Sequence, residues 1–263
     1  MSVKYLFSDY ADPDLGAYVF DSGTPIAGIP FASPLAGFQL SSLLHFDRYT
    51  TCQLNGNCYV DIDLSNPHVI RALGMYNVTS PTGAPVSLQV DMYWSINGIT
   101  WTLVGTAFGP ALFLTKSDAI YTLPTSQNKE WWRLVFIPLG GQFSIGKIAL
   151  GDLYDFGGLY TPGSEKASDP PSTEIETENE LLITHITGKP RERMLNIYNG
   201  VTDAARNVFR TLARSGKPFG YIDHDGVTYH MKMRKGSYRS VHRWSSPSGV
   251  SLWDVQFEMT QLP

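Results

Sequence analysis

At 263 residues, with 43% hydrophobic and 13% aromatic positions, 24 Gly and 17 Pro, the chain can bury one large core or two smaller ones and suits short strands joined by tight turns. No apolar run reaches membrane-crossing length, and the opening MSVKYLFSDYADPD has neither an apolar signal core nor a cleavage pattern, so membrane insertion and signal-peptide export are not expected and assembly in a cytoplasm is. Charge is uneven: through Glu180 there are 8 Lys and Arg against 18 Asp and Glu, a net of -10, and from Leu181 onward 12 against 6, a net of +6. Such a break fits two domains with different neighbours, and equally two domains each kept soluble by its own charge.

The first sixty residues are loop-rich, punctuated by Pro13, Pro25, Pro30 and Pro34. Within SDYADPDLG, Asp9, Asp12 and Asp14 offer hard oxygen ligands of the kind calcium takes, although turn-forming aspartates produce the same pattern and the spacing is not that of an EF-hand. Cys52 and Cys58 flank QLNGN, whose Asn55-Gly56 pair predicts a two-residue hairpin. That hairpin sets position 53 opposite 58 and leaves the cysteines diagonal, so two free, half-buried thiols are expected rather than a disulfide. With no further Cys and no clustered His, zinc is not expected.

From Tyr59 the strand signal strengthens. YVDIDL alternates and puts Asp61 and Asp63 on one face, expected to be a solvated strand face rather than a glycosidase pair, whose acids come from separate elements around a cleft. VIRALGMYNV continues the strand, TSPTGAP turns, and Val86, Leu88, Val90 and Met92 begin another that runs into WSINGITW, Trp94 to Trp101. Trp101–Val104, Ala119–Leu123, Trp132–Phe136 and Phe143–Leu150 read as further strands, and this regular spacing predicts an antiparallel β-sandwich. Trp94 continues the Val86–Met92 face and Trp132 alternates with Leu134 and Phe136, which predicts both in the core. Trp131, beside Glu130 and Arg133 on the opposite face, is the best exposed ring for stacking on a sugar, so Trp131 and Arg133 are the candidate ligand-binding residues.

Residues 157–180 are polar, acidic and Pro-rich, too poor in apolar side chains to offset the entropy of ordering alone, and read as a linker or arm between a 1–156 sandwich and a 181–263 domain. In the latter, RMLNIY predicts a strand, and Thr202-Asp203 open a helix to about Ser215, closed by Gly216 and Pro218. Val201, Ala205, Val208, Phe209 and Leu212 form its apolar face. Arg206, Arg210 and Arg214 form a stripe that is either solvated or set against an acidic partner surface. Two hairpins follow, one around Asp225-Gly226 and one around SSPSG; His230, alternating with Tyr229 and Met231, is expected to face solvent. A small β-barrel with one packed helix is the expected result.

Enzymatic chemistry is not indicated. There is no G-x-S-x-G elbow, and GGQFSIGK lacks both P-loop spacing and a Ser or Thr after its Lys. No motif for sequence-specific nucleic-acid docking is present.

Two family resemblances add to this reading. YVDIDLSNPHVIRALGMYN, WSINGITWTLVG and the pair WWRLVF…IGKIAL resemble the galactose-binding-like jelly roll of discoidin and coagulation-factor C-type domains, with Asn97 where that pattern has Asp. Met194–Pro263, a helix followed by GKPFGYIDHDGVTYHMKM and a closing SLWDVQFEMTQL strand, resembles the ring-forming domain of distal tail proteins at the tail tip of tailed bacteriophages. Together these imply a non-catalytic virion component of a tail tip or baseplate. It would form a closed ring of about three or six copies with other tail-tip or tail-tube proteins, and present the sandwich to fibres or host-surface glycan. The alternative is a lectin-like carbohydrate-binding module outside a virion, or a non-catalytic accessory domain of a polysaccharide-degrading enzyme.

Overall fold

A computed structural model describes residues 3–21, 23–45, 51–155, 165–169, 172–176, 182–186, 191–245 and 251–262. The fold is mainly β, antiparallel, with one α-helix among the described residues, and it divides into two compact units. One comprises Lys4–Asp155 with Phe219–Tyr229, and the other Met1–Val3, Phe156–Pro218 and His230–Pro263. No described helix is long and apolar enough to cross a membrane.

The first unit is a sandwich built on β1 (Lys4–Asp9), β2 (Tyr18–Phe20), β3 (Cys52–Asn55), β4 (Cys58–Tyr76), β5 (Leu88–Ser95), β6 (Trp101–Phe108), β7 (Ala119–Pro138), β8 (Gln142–Ile145) and β9 (Lys147–Asp155). Two long strands organise it. The start of β4 pairs with β2 and with the end of β7, whereas its last residues pair with β9 and the start of β7. The break lies at Ser65, whose φ of 63° departs from the extended backbone on either side. Strict alternation explains the core: Leu88, Val90 and Met92 of β5, Ile62 of β4 and Trp132, Leu134 and Phe136 of β7 are fully buried in one apolar cluster. Trp132 thus lies where its alternation predicts, while Trp94 only packs half-buried against the cluster, with the Lys129 ammonium 3.9 Å over its ring.

The Asn55-Gly56 turn does not make the predicted hairpin. Strand β3 pairs with β8, Cys52 opposite Ile145 and Asn55 opposite Gln142, while β4 begins afresh at Cys58. The same turn chemistry serves a hairpin or a corner between sheets, and the buried faces of both strands decide for the corner. Cys52 and Cys58 are free and fully buried. Burial pushes their thiols up, to about 11 and about 12 respectively.

In the second unit, β10 (Glu165–Asp169) pairs with β13 (Arg191–Thr202), so the interval read as a linker contains a strand. Strands β11 (Ser172–Glu176) and β12 (Leu182–Ile186) form a separate two-stranded ladder. The helix α1 (Asp203–Ser215) follows β13; the Thr202 hydroxyl accepts from the Ala205 N–H, and Gly216 closes it with φ 61°. Strand β14 (Phe219–Ile222) groups with the sandwich and pairs with β1. Strands β15 (Thr228–Met233), β16 (Arg239–Ser245) and β17 (Ser251–Gln261) complete the chain, with β17 pairing to β13, β15 and β16. Phe209 of the helix packs on Tyr198 and Phe257 with ring centroids 5.2 and 4.9 Å apart. The turn at SSPSG lies outside the described residues. His230, expected at the surface, is 1% exposed.

Candidate functional site: an aromatic cleft beside the second strand

Strand β2 is only three residues long, and Tyr18 and Phe20 alternate with Val19, so their rings share one face. A cleft of about 460 Å³ opens against them, within the usual size of small-ligand sites, about 300–1,000 Å³. Tyr18, Phe20 and Phe31 supply rings, and Asp21, Ser41 and His45 supply polar groups. Tyr18 is 53% exposed, and its hydroxyl bonds the Asp63 carboxylate, which holds the phenol above its ordinary pKa. Phe20 stacks on Trp101 with centroids 6.4 Å apart, and Phe31 meets Tyr59 edge-on at 5.5 Å. The facing wall is a short 3-10 turn, Leu40–Leu44, anchored by the buried Leu43 and Leu44.

The strands next to β2 carry a buried ion pair. Register puts Phe20, Asp61, Arg133 and Tyr93 in one row across β2, β4, β7 and β5, and Tyr18, Asp63, Trp131 and Ser95 in the next. The solvated face expected for Asp61 and Asp63 is absent: they are 0% and 7% exposed. A second layer covers this side of the sheet, which alternation within one strand does not reveal. Arg133 donates from Nε and Nη2 to the two Asp61 carboxylate oxygens at 2.6 and 2.8 Å, and its guanidinium lies between the rings of Tyr59 and Trp101 at 4.1 and 4.2 Å. Burial raises the Asp61 carboxyl above its ordinary value, and Arg133 draws it back.

The pair holds a loop. Arg133 Nη1 donates to the Thr24 carbonyl at 2.7 Å, and the Thr24 hydroxyl donates to the Ile99 carbonyl at 2.6 Å. A Cβ at Gly23 would run into the Arg133 guanidinium and the Asp61 carboxylate, so only glycine lets the backbone lie on the pair. Gly23 and Thr24 are thereby held against the pair.

Arg133, a candidate ligand-binding residue, is 1% exposed and does not line the cleft; its donors go to Asp61 and the Thr24 carbonyl. Trp131 is half-buried on the same face as Tyr18, beside the β5–β6 turn, where an ideal Cβ on Gly98 would lie 3.8 Å from its Cδ1. That turn is set by Asn97, whose Oδ1 accepts from the N–H groups of Ile99 and Thr100 at 3.0 and 2.9 Å, so Asn serves where the resembled pattern has Asp.

The Asp9 and Asp12 carboxylates have separate partners, and Asp14 enters through its backbone N–H. Asp9 pairs with the buried Lys147 at 2.5 Å and accepts from the Ala11 and Leu150 N–H groups, whereas Asp12 caps the turn at Pro13–Leu15 through the Asp14 N–H. On the helix, Arg206 lies 3.8 Å over the Trp253 ring and pairs with Asp203 at 3.4 Å, while Arg210 and Arg214 are exposed.

No family model matches the sequence, and no curated protein does. Similar solved structures include carbohydrate-binding modules. A family 32 module from a family 31 glycoside hydrolase of Clostridium perfringens has 10% identity and a TM-score of 0.41, over 52% of this chain and 94% of its own. A chitosan-binding module from a Paenibacillus sp. IK-5 chitosanase/glucanase has 14% identity and a TM-score of 0.40, over 56% and 100%. The family 32 module of C. perfringens NanJ, solved with galactose, has 13% identity and a TM-score of 0.41, over 55% and 98%. The chemistry of the cleft rests on its own residues.

Proposed function

We propose that the sandwich is a carbohydrate-binding module and that the cleft beside β2 is where it takes its sugar. The observation that carries this is the pairing of three lining rings with three polar groups in one open cleft. An aromatic ring accepts the C–H face of a pyranose, and Asp21, Ser41 and His45 can bond its hydroxyls. The Arg133–Asp61 pair underneath keeps the wall that carries Asp21 in place before ligand arrives, which lowers the ordering cost of binding. A glycan array probed with the full chain tests this. Signal is expected for the wild type and loss of it for Tyr18→Ala/Phe20→Ala, with an unchanged circular dichroism spectrum. An array on which neither protein binds any glycan overturns it.

The ring-forming tail-tip role is a second proposal, supported by one feature of the other unit. Strand β16 pairs only with β17 among the described residues, and it exposes Val241 and Trp244 at 65% and 53%. A hydrophobic edge strand of this kind is a ready partner for a second copy. Light scattering on the purified chain should give a closed oligomer; a monomer at all accessible concentrations contradicts it.

A further inference from the structure

The charges around the cleft say which sugars it takes. Among the described residues, the two rows at β2 hold the carboxylates Asp61 and Asp63 and one guanidinium, Arg133, which is spent on Asp61 through both of its oxygens, and Asp21 follows the last residue of β2. Asp21 lines the cleft and is exposed, and no Lys or Arg is found among the described residues lining it. Asp63 holds the Tyr18 hydroxyl, and Glu130 lies close enough to act on the same phenol. Burial, and after it the charge of Asp63, keep the Glu130 carboxyl above its ordinary value. Lys129 lies over Trp94, which continues the core-facing side of its strand.

We propose that the preferred ligand is a cationic amino sugar, its ammonium seated between the Asp21 carboxylate and the rings of Tyr18 and Phe20. This rests on the carbohydrate reading of the same cleft. An ammonium suits this position twice over: a charge-assisted hydrogen bond to a fixed carboxylate, and a place against aromatic faces whose quadrupole attracts cations. The negative surroundings add steering for a polycationic chain and repel uronic or sulfated glycans. His45 supplies a ring nitrogen for a neighbouring hydroxyl.

The test is calorimetric titration of the full chain with a β-1,4-glucosamine hexamer, its fully N-acetylated counterpart and oligogalacturonate, at low and high salt. The glucosamine hexamer is expected to bind about ten-fold more tightly than the acetylated one, to lose most of that advantage at high salt, and oligogalacturonate to bind least. Asp21→Asn should bring the ratio of the two hexamers close to one, with its melting temperature reporting that the fold is intact. Binding of a neutral or acetylated sugar with no preference for the amine, or a preference that survives Asp21→Asn, overturns the amino-sugar assignment and leaves the carbohydrate reading standing. Binding of none of the three, on a chain also silent on the glycan array, overturns both.

Discussion

Replacing Arg133 by Leu removes the cation from a pair that water does not reach. Asp61 is 0% exposed and its two oxygens accept from Arg133 at 2.6 and 2.8 Å; the Thr24 carbonyl loses its donor in the same step. Removing one partner of a buried pair costs about 3–5 kcal/mol, because the remaining charge stays buried without compensation. Urea unfolding followed by circular dichroism should show a loss of that order, while Asp61→Leu/Arg133→Leu should recover at least half of it by leaving no charge behind. The pH dependence carries the same argument. Burial already holds the Asp61 carboxyl above its ordinary value against the pull of Arg133, and without the guanidinium it must rise further. A carboxyl whose folded pKa exceeds its unfolded one stabilises the fold below the unfolded value, and that contribution is lost as pH rises through the folded value. The deficit of Arg133→Leu relative to the wild type is therefore largest at neutral pH and shrinks on acidification. A single-variant cost below about 1 kcal/mol, or a double variant as unstable as the two singles added, refutes the reasoning.

Gly23→Ala should cost more than the roughly 1 kcal/mol typical of a point change, since its Cβ has no room above Arg133 and Asp61, and it should weaken sugar binding through Asp21; chemical denaturation and titration read the two effects. Thr202→Ala should destabilise the second unit by about 1 kcal/mol through the lost cap on the Ala205 N–H, measured by urea unfolding. Asn196 is 0% exposed and neither polar atom of its amide has a hydrogen-bond partner, so Asn196→Leu should leave stability equal or higher; a loss above about 1 kcal/mol would contradict the unpaired amide. Cys52 and Cys58, buried and with thiols pushed up to about 11 and about 12, should resist a thiol reagent in the native protein and react on addition of denaturant.

The parts of the fold written in local periodicity were legible in the sequence. The helix, with Thr202 as cap and Gly216 as stop, and the core face Leu88–Val90–Met92 needed only spacing and end signals. Features set by a distant partner were not. The corner at Asn55-Gly56, the burial of Asp61 and Asp63 and that of His230 all depend on what lies on the other side of a strand, and alternation tells only that two sides differ. Neither candidate ligand-binding residue, Trp131 or Arg133, lines the cleft. Trp131 and Arg133 were placed on the correct, non-core side of β7, yet Arg133 is the buried support and the exposed ring is Tyr18. Tyr18, Phe20, Phe31 and His45 lie in the loop-rich opening stretch, where a three-residue strand gives no periodicity to read; the alternation of two aromatics in YVF was the one available signal.

Where a sugar sits is measured most directly by a crystal structure of the full chain grown with a bound oligosaccharide. The account predicts a pyranose ring stacked at roughly 4 Å on the Tyr18, Phe20 or Phe31 ring, with Asp21 or His45 at hydrogen-bond distance. Sugar bound elsewhere on the sandwich, with this cleft empty, would contradict it.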